Sequence, residues 1–367
     1  NKKRLIFFMP SMEGGGVEKN LIIVTNYVSR FIGNVSIMTF DNSFNKYFDK
    51  RVKIINVKKK NKKKKYSKYF KYISCICLLI KEYLADKNIL VFTFQANIYG
   101  IILAYFLNFK IISRSNSSPT GWNRNVFKKL IFSFFIKKAD KVIVNSKEFQ
   151  KEFKNKFSVN THLIYNPLNK SEIIKKSKIN KKTLFPFFGN KNFKIINIAR
   201  LTNQKDHLTL IRALNIIVKK IDFRMLIIGY GVNKDIIKKE IKFYKLNKYI
   251  KIIDNRFNPY PYLRSSDLFV LSSKFEGLPN VILEAQTLKK YVISSNCPTG
   301  PKEILMNGKL GSLFNVGDYR KLASSIIDYS QKKKKYNKKI INAYKKLNRF
   351  DYELNCKKYL SVINNLL

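Results

Sequence analysis

A strand followed at once by a tight loop and a helix is the feature that most constrains the fold of this chain. Residues 267–271 form a short apolar run that predicts a buried strand, and Gly277 and Pro279 punctuate the turn after it. Pro279 suits the first position of a helix, where a missing N–H has no cost, and residues 281–290 predict that helix. The N-terminus of a helix in this position presents backbone N–H groups to an anionic ligand such as a phosphate.

Two carboxylates flank this predicted anion site. Glu276 lies in the loop, and Glu284 lies inside the helix. Since both would repel a phosphate, we expect them to face neutral parts of a ligand, such as sugar hydroxyls. An ordinary strand–helix turn is the alternative, because Glu284 shares a helical stripe with Asn280 and Thr287, and a solvated Glu284 fits that stripe equally well.

Short apolar strands alternate with helical segments along the whole chain, and this alternation predicts an α/β protein with parallel sheets flanked by helices. The length of 367 residues suits two domains. We predict an N-terminal domain over residues 1–170, a lysine-rich linker over 171–192, a second domain over 193–345 and a final helical segment over 346–367.

Cations and glycines follow several of the predicted strands. Arg200 and Lys205 follow the first strand of the second half, where α/β proteins bind ligands, although two ordinary surface cations would look the same. Gly229 ends the next strand, in a turn that admits a nucleotide base or is simply tight. Gly15 and Gly16 lie in the first strand–helix turn, which is either a ligand loop or a plain turn. Their spacing fits neither the dinucleotide-binding nor the P-loop pattern.

The charge of the chain indicates a polyanionic partner. Lys and Arg number 73 against 23 Asp and Glu, a formal net charge of +50, which attracts nucleic acid or an anionic membrane, unless it only reflects composition bias. The lysine run at residues 58–65 precedes an apolar, aromatic segment, and residues 122–138 mix lysines with aromatics. Both features favour a membrane interface, although a core-facing helix with a lysine rim also explains the second. No zinc-finger or RNA-recognition pattern supports nucleic acid.

Cysteine and histidine usage indicates a reducing compartment, the cytoplasm, and no metal site. The four cysteines include no C-x-x-C pair, and the two histidines are isolated. No apolar run approaches the roughly 18 residues that span a bilayer, and the N-terminus lacks a secretory signal pattern.

The run Phe-Glu-Gly-Leu-Pro-Asn-Val-Ile-Leu-Glu-Ala, which ends at Ala285, resembles the signature of a known enzyme family. That family is the retaining glycosyltransferases related to glycogen synthase and to bacterial lipid-linked sugar transferases, glycosyltransferase family 4. The resemblance extends to residues 258–263 upstream and 292–304 downstream. It implies the GT-B fold, in which two Rossmann-like domains face a cleft, with the donor mostly on the second domain and the acceptor on the first.

The resemblance also implies roles for individual residues. Arg200 and Lys205 match an R-x4-K pair that binds the donor diphosphate, and Glu276 would hold the transferred sugar near its anomeric centre. Glu284 would bind the ribose hydroxyls. Further implied donor contacts are Gly15, Gly16, Gly229, Gly277, Leu278, Pro279 and Asn280. Many family members carry a histidine near the turn that follows residue 113. This chain has Arg114 and Asn116 there, which either meet an acceptor or lie in a solvated loop.

The implied activity is a metal-independent, retaining hexosyltransferase. It would move a hexose or N-acetylhexosamine from a UDP-sugar to a polyprenyl-diphosphate-linked glycan, in surface polysaccharide or oligosaccharide assembly at the inner face of the cytoplasmic membrane. We predict no cofactor and no metal, since the chain contains no D-x-D motif for metal-bridged diphosphate binding. The alternatives are the same chemistry on another glycolipid or exopolysaccharide acceptor, and a basic membrane- or nucleic-acid-binding protein without catalysis.

Overall fold

The computed structural model of the protein describes residues 3–57, 66–116, 126–178, 187–188, 192–254 and 258–367, with backbone only for residues 126–128. The lysine run at residues 58–65 and Trp122 lie outside the described residues. The chain divides into two compact units: Asn1–Pro167 together with Tyr352–Leu367, and Leu168–Asp351.

Seven parallel strands form the sheet of the first unit. They are β1 Arg4–Phe8, β2 Val35–Thr39, β3 Lys53–Asn56, β4 Ile89–Thr93, β5 Lys110–Arg114, β6 Lys141–Val144 and β7 His162–Leu163. Their order across the sheet is β3-β2-β1-β4-β5-β6-β7. The helices of this unit are α1 Gly16–Val28, α2 Lys68–Ala85, α3 Asn97–Leu107, α4 Val126–Ile136, α5 Lys147–Phe157 and, from the end of the chain, α14 Tyr352–Asn364.

Helices cover both faces of this sheet, because successive residues of a strand point to opposite sides. Ile6 and Phe8 of β1 pack in one core with residues of α2, α3, α4 and α5. Leu5 and Phe7 pack in another core with residues of α1 and α14. The predicted α/β class with flanking helices is confirmed for this unit.

Six parallel strands form the sheet of the second unit. They are β8 Phe193–Ile198, β9 Phe223–Ile228, β10 Ile250–Ile253, β11 Leu268–Leu271, β12 Tyr291–Ser295 and β13 Ser312–Phe314, in the order β10-β9-β8-β11-β12-β13. The helices are α6 Lys170–Ser177, α7 His207–Ile217, α8 Lys234–Phe243, α9 Tyr260–Ser265, α10 Asn280–Thr287, α11 Pro301–Ile304, α12 Tyr319–Gln331 and α13 Lys333–Lys346. The same α/β class therefore holds here.

The segment predicted as a linker over residues 171–192 contains helix α6, which belongs to the second unit. Asn169 caps this helix by accepting the N–H of Glu172 at 3.0 Å, and Ile173 is its buried apolar anchor. The amide of Asn258 also bonds the carbonyl of Lys176 at 2.9 Å. The chain passes between the units at Pro167–Leu168 and at Asp351–Tyr352, so the final helix counts with the first unit.

Among the described helices, none is both long enough and apolar enough to cross a bilayer. The longest, α2, has 18 residues and carries Lys68, Lys71, Lys81 and Glu82.

Candidate active site

The sheet of the second unit changes its winding direction between β8 and β11. From β8 the chain proceeds to β9 and β10 on one side, whereas β11 leads to β12 and β13 on the other. The loops that leave the carboxyl ends of β8 and β11 therefore lie side by side, at the position where open α/β sheets bind ligands. Both predicted catalytic cations and Glu276 lie in these two loops.

Three hydrogen bonds to backbone carbonyls join the two loops. The N–H of Lys274 donates to the carbonyl of Gln204 at 2.8 Å. The side-chain amide of Gln204 donates to the carbonyl of Phe275 at 2.8 Å, and the hydroxyl of Ser272 donates to the carbonyl of Lys205 at 3.0 Å. The loops consequently hold each other in place before any ligand binds.

A cation–carboxylate pair lies at the centre of this junction. The Nζ of Lys205 donates to Oε1 of Glu276, and the hydroxyl of Ser273 donates to the same oxygen at 2.6 Å. The side chains of Lys205 and Glu276 are only 13% and 7% exposed. Because water is largely excluded, this charged pair interacts more strongly than a surface pair would. The structure thus brings together two residues that the sequence separates by 71 positions.

The loop after β12 fixes the glutamate loop from its other side. The hydroxyl of Thr299 donates to the carbonyl of Glu276, and Ser295 donates to the carbonyl of Ser273 at 2.6 Å. A Cβ atom on Gly300 would lie 1.8 Å from the carbonyl oxygen of Gly277. Only glycine permits this approach, so the position of Gly277 depends on the residue at position 300.

Helix α10 begins directly beyond this loop. Pro279 has an extended backbone and is the N-cap, so the helix begins at Asn280 and the prediction of Pro279 as its first residue is wrong by one position. No described side chain caps the helix, and its first turn contains no acid. Its amino end therefore retains the partial positive charge that favours a phosphate. Leu278 is buried between this end and the glutamate loop.

Glu284 is buried rather than solvated, so the solvent-exposed alternative is wrong. It is 3% exposed, and its Oε1 accepts the hydroxyl of Tyr260 at 3.1 Å. The neighbouring stripe residue Thr287 is buried as well. The polar stripe on α10 fitted a solvent-exposed Glu284. Periodicity alone cannot show that Tyr260 of α9 covers this side of the helix.

The turn after β9 supports the loop that carries Arg200. A Cβ on Gly229 would lie 1.8 Å from the carbonyl oxygen of Ala199, and the N–H of Leu201 donates to the carbonyl of Tyr230 at 2.8 Å. The turn at Gly229 is therefore tight, and its contact with a nucleotide base stays a prediction. Arg200 itself is exposed at the carboxyl end of β8.

The glycine loop of the first unit carries its own carboxylate. Gly15 is the N-cap of α1 and Gly16 its first residue. The buried Glu18 accepts the N–H of Gly15 at 2.9 Å and the N–H of Glu13 at 3.0 Å. The carboxylate of Glu18 therefore occupies these two amides, and the donor contacts of Gly15 and Gly16 stay a prediction. An acid at the third position of a helix is a known capping signal that the sequence analysis missed.

Arg114 lies in the core of the first unit. It is the last residue of β5 and is fully buried, so the expectation of a solvated loop is wrong here. Its Nε donates to the hydroxyl of Tyr359 at 2.8 Å and its Nη2 to Oδ1 of Asn166 at 2.6 Å. These bonds give Arg114 a structural role instead of acceptor binding. Asn116 donates to the carbonyl of Phe94 at 2.6 Å and is half-buried.

Ser273, Thr299 and Tyr260 are site residues that the sequence analysis did not assign. Ser273 precedes Glu276 by three positions. This is the spacing of a capping box, in which a serine and a glutamate side chain each accept the backbone N–H of the other residue. Thr299 lies in the Pro-Thr-Gly-Pro segment that already carried the family resemblance. Tyr260 lies in the segment 258–263, which also carried the resemblance, but its bond to Glu284 had no local signal because Glu284 lies 24 residues away.

A buried histidine next to the site gives a testable pH dependence. His207 begins α7 with Nε2 3.1 Å from Oδ1 of Asn197, and burial, with a smaller effect of the Lys205 charge, lowers its pKa from 6.5 to about 4. Neutral His207 therefore stabilises the fold fully above pH 6.5, and this contribution is lost as the pH falls towards 4. The lowering of the His207 pKa from 6.5 to about 4 corresponds to about 3 kcal/mol of the free energy of unfolding.

We expect urea unfolding of the wild type to lose about 3 kcal/mol of this linked stability between pH 7 and pH 4, and the loss to be smaller in His207→Gln. His162→Gln is the matched control, since the pKa of half-buried His162 is lowered less strongly by its burial. Equal pH slopes in the wild type and in His207→Gln would contradict the assignment.

The chain is similar to known glycosyltransferases. Residues 176–346 match the family described as "Glycosyl transferases group 1". An uncharacterized glycosyltransferase of Methanocaldococcus jannaschii is 31% identical over 273 residues, 70% of this chain and 66% of that protein. The chain thus spans just under two thirds of that relative.

Two further similarities concern proteins with named substrates. The N-acetylgalactosamine-N,N'-diacetylbacillosaminyl-diphospho-undecaprenol 4-alpha-N-acetylgalactosaminyltransferase of Campylobacter jejuni is 25% identical over 260 residues, 68% of this chain and 69% of that protein. The crystal structure of Anabaena HepE in complex with UDP and glucose superposes with a TM-score of 0.81 at 19% identity, over 99% of this chain and all of HepE. The similarity to HepE establishes the fold.

Proposed function

We propose that this chain, which has the fold of the GT-B glycosyltransferases, is itself a glycosyltransferase that transfers a hexose or N-acetylhexosamine from a UDP-sugar to a lipid-linked glycan. The single observation that carries the proposal is the buried Lys205–Glu276 pair at the switch point of the second sheet. It combines a cation for a diphosphate with an acceptor for sugar hydroxyls in one ligand-binding position.

The positive charge of the site suits the donor diphosphate. Arg200 and Lys205 follow β8, and the amino end of α10 adds the partial positive charge of its helix dipole. As the bond between the sugar and the phosphate breaks, negative charge develops on the leaving UDP. Fixed cations in a water-poor site stabilise such charge more than water does, which lowers the barrier. We propose that these groups act without a metal ion, which predicts that activity persists in EDTA.

The two buried carboxylates suit the neutral parts of the donor. Glu276 is held at Oε1 by Lys205 and Ser273, and we propose that it orients the hydroxyls of the transferred sugar. Glu284 is held by Tyr260, and we propose that it accepts the ribose hydroxyls. Both carboxylates are fixed before the donor binds, so little ordering entropy remains to be lost on binding.

The proposed reaction proceeds with retention by attack on the face that the leaving group departs from. The acceptor hydroxyl oxygen forms the new bond to the anomeric carbon while the bond from that carbon to the UDP oxygen breaks. The leaving phosphate oxygen takes the proton of the acceptor hydroxyl, so charges and atoms balance. The side chains of Arg200, Lys205 and Glu276 position and stabilise these partners.

The acceptor class rests on one relative and on the charge of the chain. The Campylobacter jejuni relative is named for a diphospho-undecaprenol-linked acceptor. The net charge of +50 suits work at an anionic membrane surface. We therefore propose a polyprenyl-diphosphate-linked glycan as acceptor, in surface polysaccharide or oligosaccharide assembly at the inner face of the cytoplasmic membrane.

A donor screen tests the proposal. Purified protein is incubated with UDP-, GDP- and ADP-sugars, with and without a membrane lipid extract and with and without EDTA, and nucleotide release is measured. We expect UDP release that requires the extract, persists in EDTA and falls at least about a hundredfold in Glu276→Gln, the size of loss seen when one fixed site group is removed.

Glu240→Gln is the matched control for this screen, because Glu240 also pairs with a cation, Arg212, but on α8, outside the two site loops. It should retain wild-type release. Release that is unchanged in Glu276→Gln, or no release from any donor, would contradict the proposed function.

A further inference from the structure

Helix α3 of the first unit is apolar on every side. Its eleven residues contain no charged side chain, and only Asn97 has a side-chain amide. Gly100, Ile101 and Ala104 face the core, yet Phe106 on the outer side is 71% exposed and Tyr105 is also exposed. A helix that is hydrophobic all round is normally buried on both sides, yet no described residue buries Phe106 on the outer side of α3.

Helix α2 continues this surface on one side of α3. Tyr69, Ile73, Cys77 and Leu84 are exposed, at the spacing that places them on one stripe of the helix. The stripe lies opposite the buried Cys75 and Leu79. Contact between Tyr72 and Tyr99, with ring centroids 6.1 Å apart, joins α2 to α3.

Helix α4 continues the surface on the other side. Leu130 and Phe134 are exposed, and the ring of Phe134 lies 6.4 Å from that of Tyr105 in an edge-to-face arrangement. The ammonium group of Lys138 lies 5.2 Å from the ring centre of Phe134 and 5.3 Å from that of Tyr105. Cations and aromatic rings are thus interleaved where α3 and α4 meet.

The charges on this surface are of one sign. Lys129, Lys137 and Lys138 are exposed at α4, and Lys68 and Lys81 are exposed on α2. Helices α3 and α4 contain no acidic residue, and the one acid of α2, Glu82, pairs with Arg4 at 2.9 Å. All three helices pack on the same face of the sheet, so the surface is continuous.

We infer that the outer surface of α2, α3 and α4 docks on an anionic lipid bilayer. Aromatic and aliphatic side chains with a lysine rim match the boundary between acyl chains and anionic headgroups, where apolar burial and charge attraction act together. Each lysine near such a surface adds attraction to the anionic headgroups, in addition to the apolar contribution. The inference deepens the proposed function, since it names the surface by which an enzyme with a lipid-linked acceptor reaches the membrane.

Vesicle flotation tests the docking surface without any sugar donor. The wild-type protein is mixed with vesicles of phosphatidylcholine alone, or of phosphatidylcholine with phosphatidylglycerol. We expect it to float only with the anionic vesicles. The double substitution Phe106→Ser with Phe134→Ser should reduce the partition by about tenfold or more, since each phenylalanine buries apolar surface in the bilayer. Both rings are exposed, so the thermal midpoint should change little.

Phe243→Ser is the matched control, because Phe243 is 75% exposed on α8 of the second unit, in a helix that also carries Lys238, Lys239 and Lys242. It should float like the wild type. Equal flotation of the double variant would overturn the inference and leave attraction by net charge alone. A dimer in solution that Phe106→Ser with Phe134→Ser dissociates would also overturn it, since the surface would then bind a second copy.

The flotation result can be distinguished from the result of the test of the proposed function. UDP binding, measured by calorimetry in the absence of vesicles, depends on the second unit and should be the same in the wild type and in the double variant. Loss of flotation with intact UDP binding supports the docking surface. Intact flotation without UDP binding or UDP release contradicts the proposed function and leaves the docking surface standing.

Discussion

Lys205→Met is expected to reduce UDP release from the donor about a hundredfold to a thousandfold, and also to destabilise the second unit. The activity loss follows if the Lys205 ammonium stabilises charge on the leaving diphosphate, because removing one fixed donor from such a site typically has this effect. The stability loss follows from the structure. Glu276 is 7% exposed and would lose the cation that balances it. Breaking a buried ion pair in this way costs about 3–5 kcal/mol.

The double variant Lys205→Met with Glu276→Gln separates the two effects. A neutral glutamine retains an oxygen for the hydroxyl of Ser273 and leaves no buried charge unbalanced. We expect most of the stability to return, since neutral replacements of buried ion pairs are often close to wild type. UDP release should not return, because the diphosphate still lacks its cation. Denaturant unfolding and the donor assay, on the same preparations, check both expectations.

Lys110→Met is the matched control for the ion pair. Lys110 pairs with Asp140 at 2.8 Å, but the lysine is 57% exposed. Exposed pairs contribute about 0–1 kcal/mol, so this variant should unfold and react like the wild type. Recovery of activity together with stability in the double variant would show that Lys205 and Glu276 act only on the fold, and would remove both from the proposed donor site.

The sequence predicted the strands of this fold well because their physical signal is local. Buried parallel strands are short continuous apolar runs, and β11, Leu268–Leu271, lies within the apolar run at residues 267–271 that predicted it. Helix α6 was predicted as linker for the opposite reason. Its lysines obscure an amphipathic pattern that depends on Ile173, and its packing partners lie some 80 residues further along the chain.

The partners of individual site residues could not be predicted, because those partners lie far away in the sequence. Arg114 seemed to be a surface cation because a lone charge gives no sign of burial. Its partners Asn166 and Tyr359 lie 52 and 245 residues away. Arg200, Lys205, Glu276 and Glu284 were found by family resemblance, and the bond between Lys205 and Glu276 follows only from the order of the strands. Topology therefore supplies the geometry that spacing does not contain.

Gly300→Ala is expected to have the second largest effect, although residue 300 carries no functional group. The new Cβ would lie 1.8 Å from the carbonyl oxygen of Gly277 and 2.6 Å from Cδ of Pro279. Since neither backbone nor proline ring can rotate away, the loop must shift. Overpacking of this kind costs about 1–3 kcal/mol or more, and a displacement of about 1 Å in a positioned catalytic group can reduce the rate about a hundredfold.

Gly33→Ala is the control, because a Cβ at Gly33 meets no atom within 4 Å. Thermal midpoints and UDP release are compared for both variants. If Gly300→Ala keeps wild-type release, the glutamate loop is not held by the loop after β12, and the fixed geometry proposed for Glu276 is wrong. If release falls while Glu276→Gln in the same background lowers it no further, both changes act on one group. The orientation of Glu276 by its supporting backbone would then account for its role in the proposed transfer.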